Sequence, residues 1–324
     1  MPRPTSGTTI QRPDLAALAY EFAVQETLQE LIADVVMPVF KTPHQSADYP
    51  VIPAEAMLKI PHTIDRAPRA PYGRSDWEFK TGTYSTKERG WEEAIDDVEA
   101  KLYERFFDAE KAAAMRALNI VLRGREKRVA DYLFNATTFS GKTSAATVPW
   151  SVAADADIRG DAKTARDAVK AACGLRPNAA IMSMTAFEAI TDSLQFLDHV
   201  KFTNAILLDD LEVQKKAVAR FLGVQEVIIG DSRYDAAKKG QSLNSTQVWN
   251  ATYCLFAVIA KNPLDLTEPC VGRSFLWTGY SPEMVNVESY REEGTKSDII
   301  RVYQHISESP VFLNSGYLLS AVTA

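Results

Sequence analysis

The sequence predicts an α+β subunit with long extended arms, and three observations carry that reading. Residues 96–135 keep a helical apolar period with no proline. Residues 49–94 hold five prolines and short alternating runs but little apolar mass. Residues 150–324 mix helical and strand patterns, with paired strand signals toward the end.

Taken in order, residues 1–48 form an arm. Pro13-Asp14 opens a helical pattern in which Leu15, Leu18, Phe22, Thr27, Leu28 and Leu31 fall on one face, and Pro38 stops it. Such a stripe must be buried against something. Residues 49–94 form a flap. Glu78-Phe79-Lys80-Thr81 and Thr83-Tyr84-Ser85-Thr86 alternate as strands do, while the prolines restrict pairing, so a two-stranded excursion is expected. A structureless excursion of this length inside a domain is usually functional. It is expected to lie on a neighbouring molecule.

Residues 95–149 begin with the long helix. Val98, Leu102, Phe106, Ala109, Ala113, Ala117 and Ile120 step by three and four, which predicts one unbroken helix over 96–135. Forty helical residues would span about 60 Å, a strut. Acidic residues cluster early and basic residues late, as the helix dipole favours. Residues 150–283 carry a helix over 161–173 ended by Gly174, a short strand at 179–182 and a capping box at Thr185. A helix over 207–222 ends at Gly223, and a strand follows at 224–229. Residues 284–324 read as strands, with a hairpin turn at 292–296.

Composition narrows the function. The chain has 324 residues, 46% hydrophobic and 24% charged, with a net charge of −6. That is globular, and it argues against a dedicated nucleic-acid binder. Cys173, Cys254 and Cys270 are scattered and odd in number, so neither a disulfide framework nor a zinc site is expected. The start lacks an apolar signal region, and the longest apolar run, 253–260, is too short to span a bilayer; a cytoplasmic origin away from membranes is expected. Ser140-Gly141-Lys142-Thr143 imitates a phosphate loop, but Ala136 stands where that loop needs glycine. His44, His62, His199 and His305 have no ligand spacing, and Asp209-Asp210 with Glu212 reads as an exposed helix start. No catalytic residue, metal site or cofactor is expected.

The order of these parts resembles the Hong Kong 97-type capsid fold of tailed-bacteriophage major capsid proteins. The stretches that carry it are 179–188 (AAIMSMTAFE), 222–234 (LGVQEVIIGDSRY), 247–249 leading into 251–259, and 287–293 (VESYREE) with 298–302 (DIIRV). The resemblance implies an N-terminal arm (1–48), an E-loop (49–94), a spine helix with the start of a peripheral domain (95–149), a mainly axial domain (150–283) and C-terminal peripheral strands (284–324). It implies pentamers and hexamers of this chain closing an icosahedral head around double-stranded DNA. A separate scaffolding protein, a portal protein and a decoration protein would be partners, with assembly in the host cytoplasm and residence in the virion. An encapsulin-type compartment enclosing a cargo enzyme is the alternative on the same fold. Inter-subunit contacts are expected from Leu15, Phe22, Trp77, Phe79, Tyr84 and Trp91, since large apolar groups on segments that cannot fold alone need partners. Arg123, Arg125, Lys127 and Arg128 form a basic run expected to face the genome or a neighbour. Some relatives crosslink a flap lysine to an asparagine; Lys59, Lys80 and Lys87 and Asn286 and Asn314 are the residues of the right type.

Overall fold

Two sheets share one helix. The computed structural model describes residues 10–12, 15, 31–51, 58–60, 64–66, 68–74, 80–103, 108–201, 210–280 and 283–323. The first sheet contains β1 (Ile10–Gln11), β2 (Val39–Thr42), β5 (Lys87–Asp96), β12 (Gly272–Trp277), β13 (Asn286–Glu292) and β14 (Ser297–Pro310), in the order β1-β13-β14-β12-β2. β5 pairs with β14 alone, antiparallel, from Ser297↔Asp96 to Ile306↔Lys87. The second sheet runs β6-β15-β11-β7-β8, made of Thr143–Ala145, Gly316–Ser320, Cys254–Ala257, Ala179–Ser183 and Glu226–Gly230. Its strands β7 and β11 are buried along their whole length, so they read as continuous apolar runs and not as alternation. β3 (Ser46–Val51) and β4 (Lys80–Ser85) form a separate antiparallel pair, the two-stranded excursion expected for the flap. β9 (Arg233–Asp235) and β10 (Ser245–Gln247) form another, inside the segment expected to be loop.

The described helices are α1 (Ala33–Val36), α2 (Asp97–Tyr103), α3 (Ala109–Leu133), α4 (Ile158–Cys173), α5 (Met184–Thr191), α6 (Leu194–Val200) and α7 (Leu211–Leu222). The single helix expected over 96–135 is instead interrupted. Asp108 is extended, and its carboxylate accepts hydrogen bonds from the Glu110 and Lys111 amides, starting α3 afresh. The strut is therefore 25 residues, about 37 Å. The capping box at Thr185 is also displaced: Ser183, at the end of β7, caps α5 by accepting from Ala186 N. α4 and α7 do end at Gly174 and Gly223, both left-handed, at φ 74° and 70°.

α3 explains how one chain holds two sheets. Ala114, Ala117, Leu118 and Val121 pack on Ile95, Val287, Ile300 and Val302 of the first sheet. Val129, Ala130 and Leu133 pack on Ile181, Leu255, Ala257 and Leu318 of the second. The other face of the second sheet is covered by α4–α7 through Ala162, Ala165, Phe187, Ile190, Phe196, Val218 and Phe221. The expected boundaries shift accordingly. Residues 87–94, assigned to the flap, belong to the first sheet, and β12 joins them from the 150–283 stretch. β15, assigned with β13 and β14, lies in the second sheet between β6 and β11.

Candidate assembly surfaces

The flap is rigid at its root. Tyr84 of β4 stacks on Phe275 of β12, with ring centroids 4.3 Å apart and planes 4° apart, and Tyr49 of β3 lies 5.1 Å from the same ring. The Tyr84 hydroxyl lies 2.6 Å from Thr42 Oγ1, and the Tyr49 hydroxyl donates to Pro310 O at 2.7 Å. Gly82, opposite Tyr49 in register, leaves room for that ring; a Cβ there would come within 2.4 Å of Tyr49 Cζ. Farther out, Ile60, Ile64 and Tyr72 are 84%, 79% and 70% exposed.

His305 joins the root to the first sheet. Thr86 Oγ1 donates to Gln45 O at 3.0 Å, so its only proton is committed. His305 Nδ1, 3.0 Å from the same oxygen, must then be the N–H donor, which fixes the neutral tautomer. Burial draws the imidazole below its ordinary pKa, Glu88 opposes the shift and Arg89 adds to it. A histidine depressed in the folded state adds stability above its unfolded value of about 6.5 and loses it as pH falls through the folded value. Urea midpoints of the isolated subunit are therefore expected to fall between pH 7.5 and 5. His305→Gln is expected to start lower at pH 7.5 and to show a flatter slope.

The residues expected at interfaces separate. Leu15 is buried in its own chain, packed with the apolar face of α3. Tyr84 is likewise used inside its own subunit, which corrects its expected role as a contact: Phe275 offers it a complete stacking partner. Trp91 is 47% exposed on β5, and its indole N–H donates to Glu93 at 2.9 Å. Phe22, Trp77 and Phe79 lie outside the described residues, as does most of the arm helix.

The basic run is also reassigned. Arg125 is 2% exposed and bonds Asp34 at 2.6 Å and Ser274 Oγ at 3.2 Å. Arg128 pairs with Glu308 at 2.8 Å, and Lys127 pairs with Asp131 at 2.7 Å beside the Tyr234 ring. Arg123 donates to the Arg233 carbonyl. Internal carboxylates and carbonyls thus take up charges that were expected to meet DNA or a neighbour.

Arg125 and Glu126 instead build a junction that sequence reasoning missed. Glu126 is 1% exposed; its carboxylate accepts from Ile32 N and Ala33 N at 2.9 Å each, and from Trp249 Nε1 at 2.6 Å. Burial pushes this carboxyl up, while those donors and Arg125 pull it down. Trp249 reaches it by lying against Gly230, where a Cβ would sit 2.2 Å from the indole. One glutamate thereby ties arm, spine and second sheet. Arg125 adds the first sheet through Ser274, whose hydroxyl donates to Met37 O at 3.1 Å. The signal was present: Val121, Arg125 and Val129 step by four, so a charge sits inside the apolar stripe. Arg291, singled out in the VESYREE stretch, clamps the β13–β14 hairpin to α2 through Asp97 at 2.7 Å and Asp298 at 3.1 Å.

Among the described residues no group of three His, Cys, Asp or Glu side chains could hold a metal, and no helix is long and apolar enough to cross a membrane. All three cysteines are buried and unpaired. Asn286 is buried on β13, and Lys80 and Lys87 flank Thr86 at the flap root.

No family model matches the sequence. A major capsid protein of Burkholderia phage BcepMu is 25% identical over 309 residues, covering 93% of this chain and 94% of that one. Among solved structures, a phage-related protein from Bordetella bronchiseptica superposes with a TM-score of 0.69 at 20% identity, covering 97% of this chain and 98% of the other. The virus-like particle of Pyrococcus furiosus gives 0.53 at 11% identity over 95% and 98% of the two chains. The capsid of a native GTA particle gives 0.52 at 15% over 91% of each. The chain is a capsid-type subunit: it has the Hong Kong 97-type fold, and its end-to-end sequence likeness is to a phage major capsid protein.

Proposed function

We propose that this chain is the major capsid protein of a tailed phage, a structural subunit without catalysis that assembles into pentamers and hexamers and closes an icosahedral head around double-stranded DNA. The observation that carries the reading is the flap, anchored at its root by buried aromatic rings yet exposing Ile60, Ile64 and Tyr72 beyond it. Side chains of that kind on an ordered projection are the surface of a subunit awaiting neighbours. Heterologous contacts from such a projection close into rings of five or six when the angle suits.

In this reading α3 and the first sheet form the peripheral domain and the second sheet with α4–α7 forms the axial domain. Trp91, Phe22, Trp77 and Phe79 are the residues assigned to inter-subunit contact. Assembly in the host cytoplasm uses a separate scaffolding protein, a portal occupies one vertex, and a decoration protein adds to the outside. Contact with DNA is non-specific, in keeping with the net charge of −6.

Electron microscopy of the recombinant chain, alone and with the products of neighbouring genes, tests this. Closed polyhedral particles, or discrete pentamers and hexamers, are expected. A monomer or dimer under every condition would remove the proposal, and particles that hold a co-produced enzyme and no DNA would redirect it to a cargo compartment.

A further inference from the structure

The part of the flap beyond its root is distinguished by charge as well as exposure. Between positions 58 and 74 the chain has four basic residues, Lys59, Arg66, Arg69 and Arg74, against one acid, Asp65. The rest of the chain is correspondingly more acidic than the whole, whose net charge is −6. The tip is ordered by its own contacts. The Arg66 guanidinium lies 4.8 Å over the Tyr72 ring and its Nε donates to Ala70 O at 2.5 Å. Arg69 turns the chain in the left-handed region, at φ 69°. Among the described residues Lys59, Arg69 and Arg74 make no ion pair. This is a preorganised cationic and aromatic projection that satisfies little of itself.

A surface of opposite character lies on the first sheet, on the face turned away from α3. There Glu88, Gly90, Trp91 and Glu92 of β5 and Arg301 and Tyr303 of β14 line a concavity of about 530 Å³. Gly90 opens it: a Cβ at that position would stand 2.7 Å from Tyr303 Cβ. Carboxylates outnumber cations. Arg301 is shared between Glu92 at 2.6 Å and Glu288 at 3.7 Å, and Tyr303 donates to Glu288 at 2.6 Å. Glu88 is exposed and makes no ion pair among the described residues.

The tip and the concavity of one chain are held apart. Residues 80–96 are extended throughout except at Thr86, so strand β4 runs from the flap straight into β5. At about 3.3 Å per residue, Lys80 and Glu92 stand up to roughly 40 Å apart along that run, with the tip beyond its far end. The complementary surface within reach of a tip therefore belongs to another subunit.

We propose that the basic flap tip, Arg66 to Arg74, seats in the acidic concavity around Glu88 and Glu92 of a second copy of this chain. The inference rests on the shell reading and names the receiving surface within it. Such a contact sets register and encounter rate through charge, so it weakens with salt.

The test is a charge exchange. The double variant Arg69→Glu with Arg74→Glu is expected to raise the concentration needed for particle formation about tenfold in low salt. Glu88→Lys is expected to act in the same direction by itself. Both sites change exposed, unpaired side chains, and unchanged melting of the unassembled subunit serves as the folding control. Combining the three substitutions is expected to bring assembly back to within about threefold of wild type, since each reversed charge again meets its opposite. Normal assembly of either single-sided variant, or a combined variant no better than the worse of the two, overturns the proposal. Tip variants that assemble normally but lose packaged DNA also overturn it and assign the tip to nucleic acid. Wild-type chains that form no particles at all would overturn the shell reading and this docking with it, whereas particles indifferent to the exchange would overturn the docking alone.

Discussion

Glu126→Ala is expected to destabilise the subunit by about 3–5 kcal/mol, read as a lower urea midpoint and a smaller soluble yield. The side chain accepts from three donors in a site that water does not reach: two amides at the start of α1 and the indole of Trp249. Removing it strands all three, and each buried donor left unpaired costs about 1–3 kcal/mol. The neighbouring Arg125 keeps Asp34 but loses a nearby negative charge. Glu126→Gln keeps the shape and one acceptor oxygen, but its amide group opposes an N–H, so roughly half the loss is expected. If the alanine variant were as stable as wild type, the junction would have no part in holding the arm to the spine.

Phe275→Ala carries the second large effect, a loss of about 3–5 kcal/mol from deleting a buried aromatic and leaving its cavity. Phe275 is fully buried, and Phe40, Tyr49 and Tyr84 meet its ring at 6.0, 5.1 and 4.3 Å. Because Tyr49 and Tyr84 stand on the two flap strands, the damage should be local as well as global. Amide hydrogen exchange in β3 and β4 is expected to quicken more than in α3, whose packing residues are elsewhere. Equal acceleration throughout the molecule would show that the ring stabilises the whole subunit without anchoring the flap.

The features legible in the sequence are those that local chemistry decides. Gly174 and Gly223 end helices because only glycine takes the left-handed turn without cost, and the prolines around the flap excluded it from any broad sheet. The break before α3 was hidden because the apolar steps continue in phase across it, while Asp108 offers the backbone a cap that periodicity cannot register. Ser183 and Thr185 are both plausible caps two positions apart, and the reach of strand β7 decides between them. The candidate contacts divided for a different reason. An aromatic such as Tyr84 or a cation such as Arg125 announces a need for a partner, but only the tertiary arrangement says that Phe275 and Asp34 supply it inside the chain.

The place of β15 bears on how the subunit comes into being. It is synthesised after every other described strand, yet it occupies the interior of the second sheet, between β6 and β11. Its parallel neighbour, at Thr143 opposite Leu318, was made much earlier. Until β15 emerges from the ribosome, β11 and β6 present open edges, and the second sheet waits as two unjoined parts. Folding of that half must follow translation instead of accompanying it, and closing so distant a pairing is slow. In a cell making many copies at once, the population at risk of aggregation is therefore the nearly finished chain, and a chaperone that shelters it until β15 inserts would raise the yield of subunits without touching the native state.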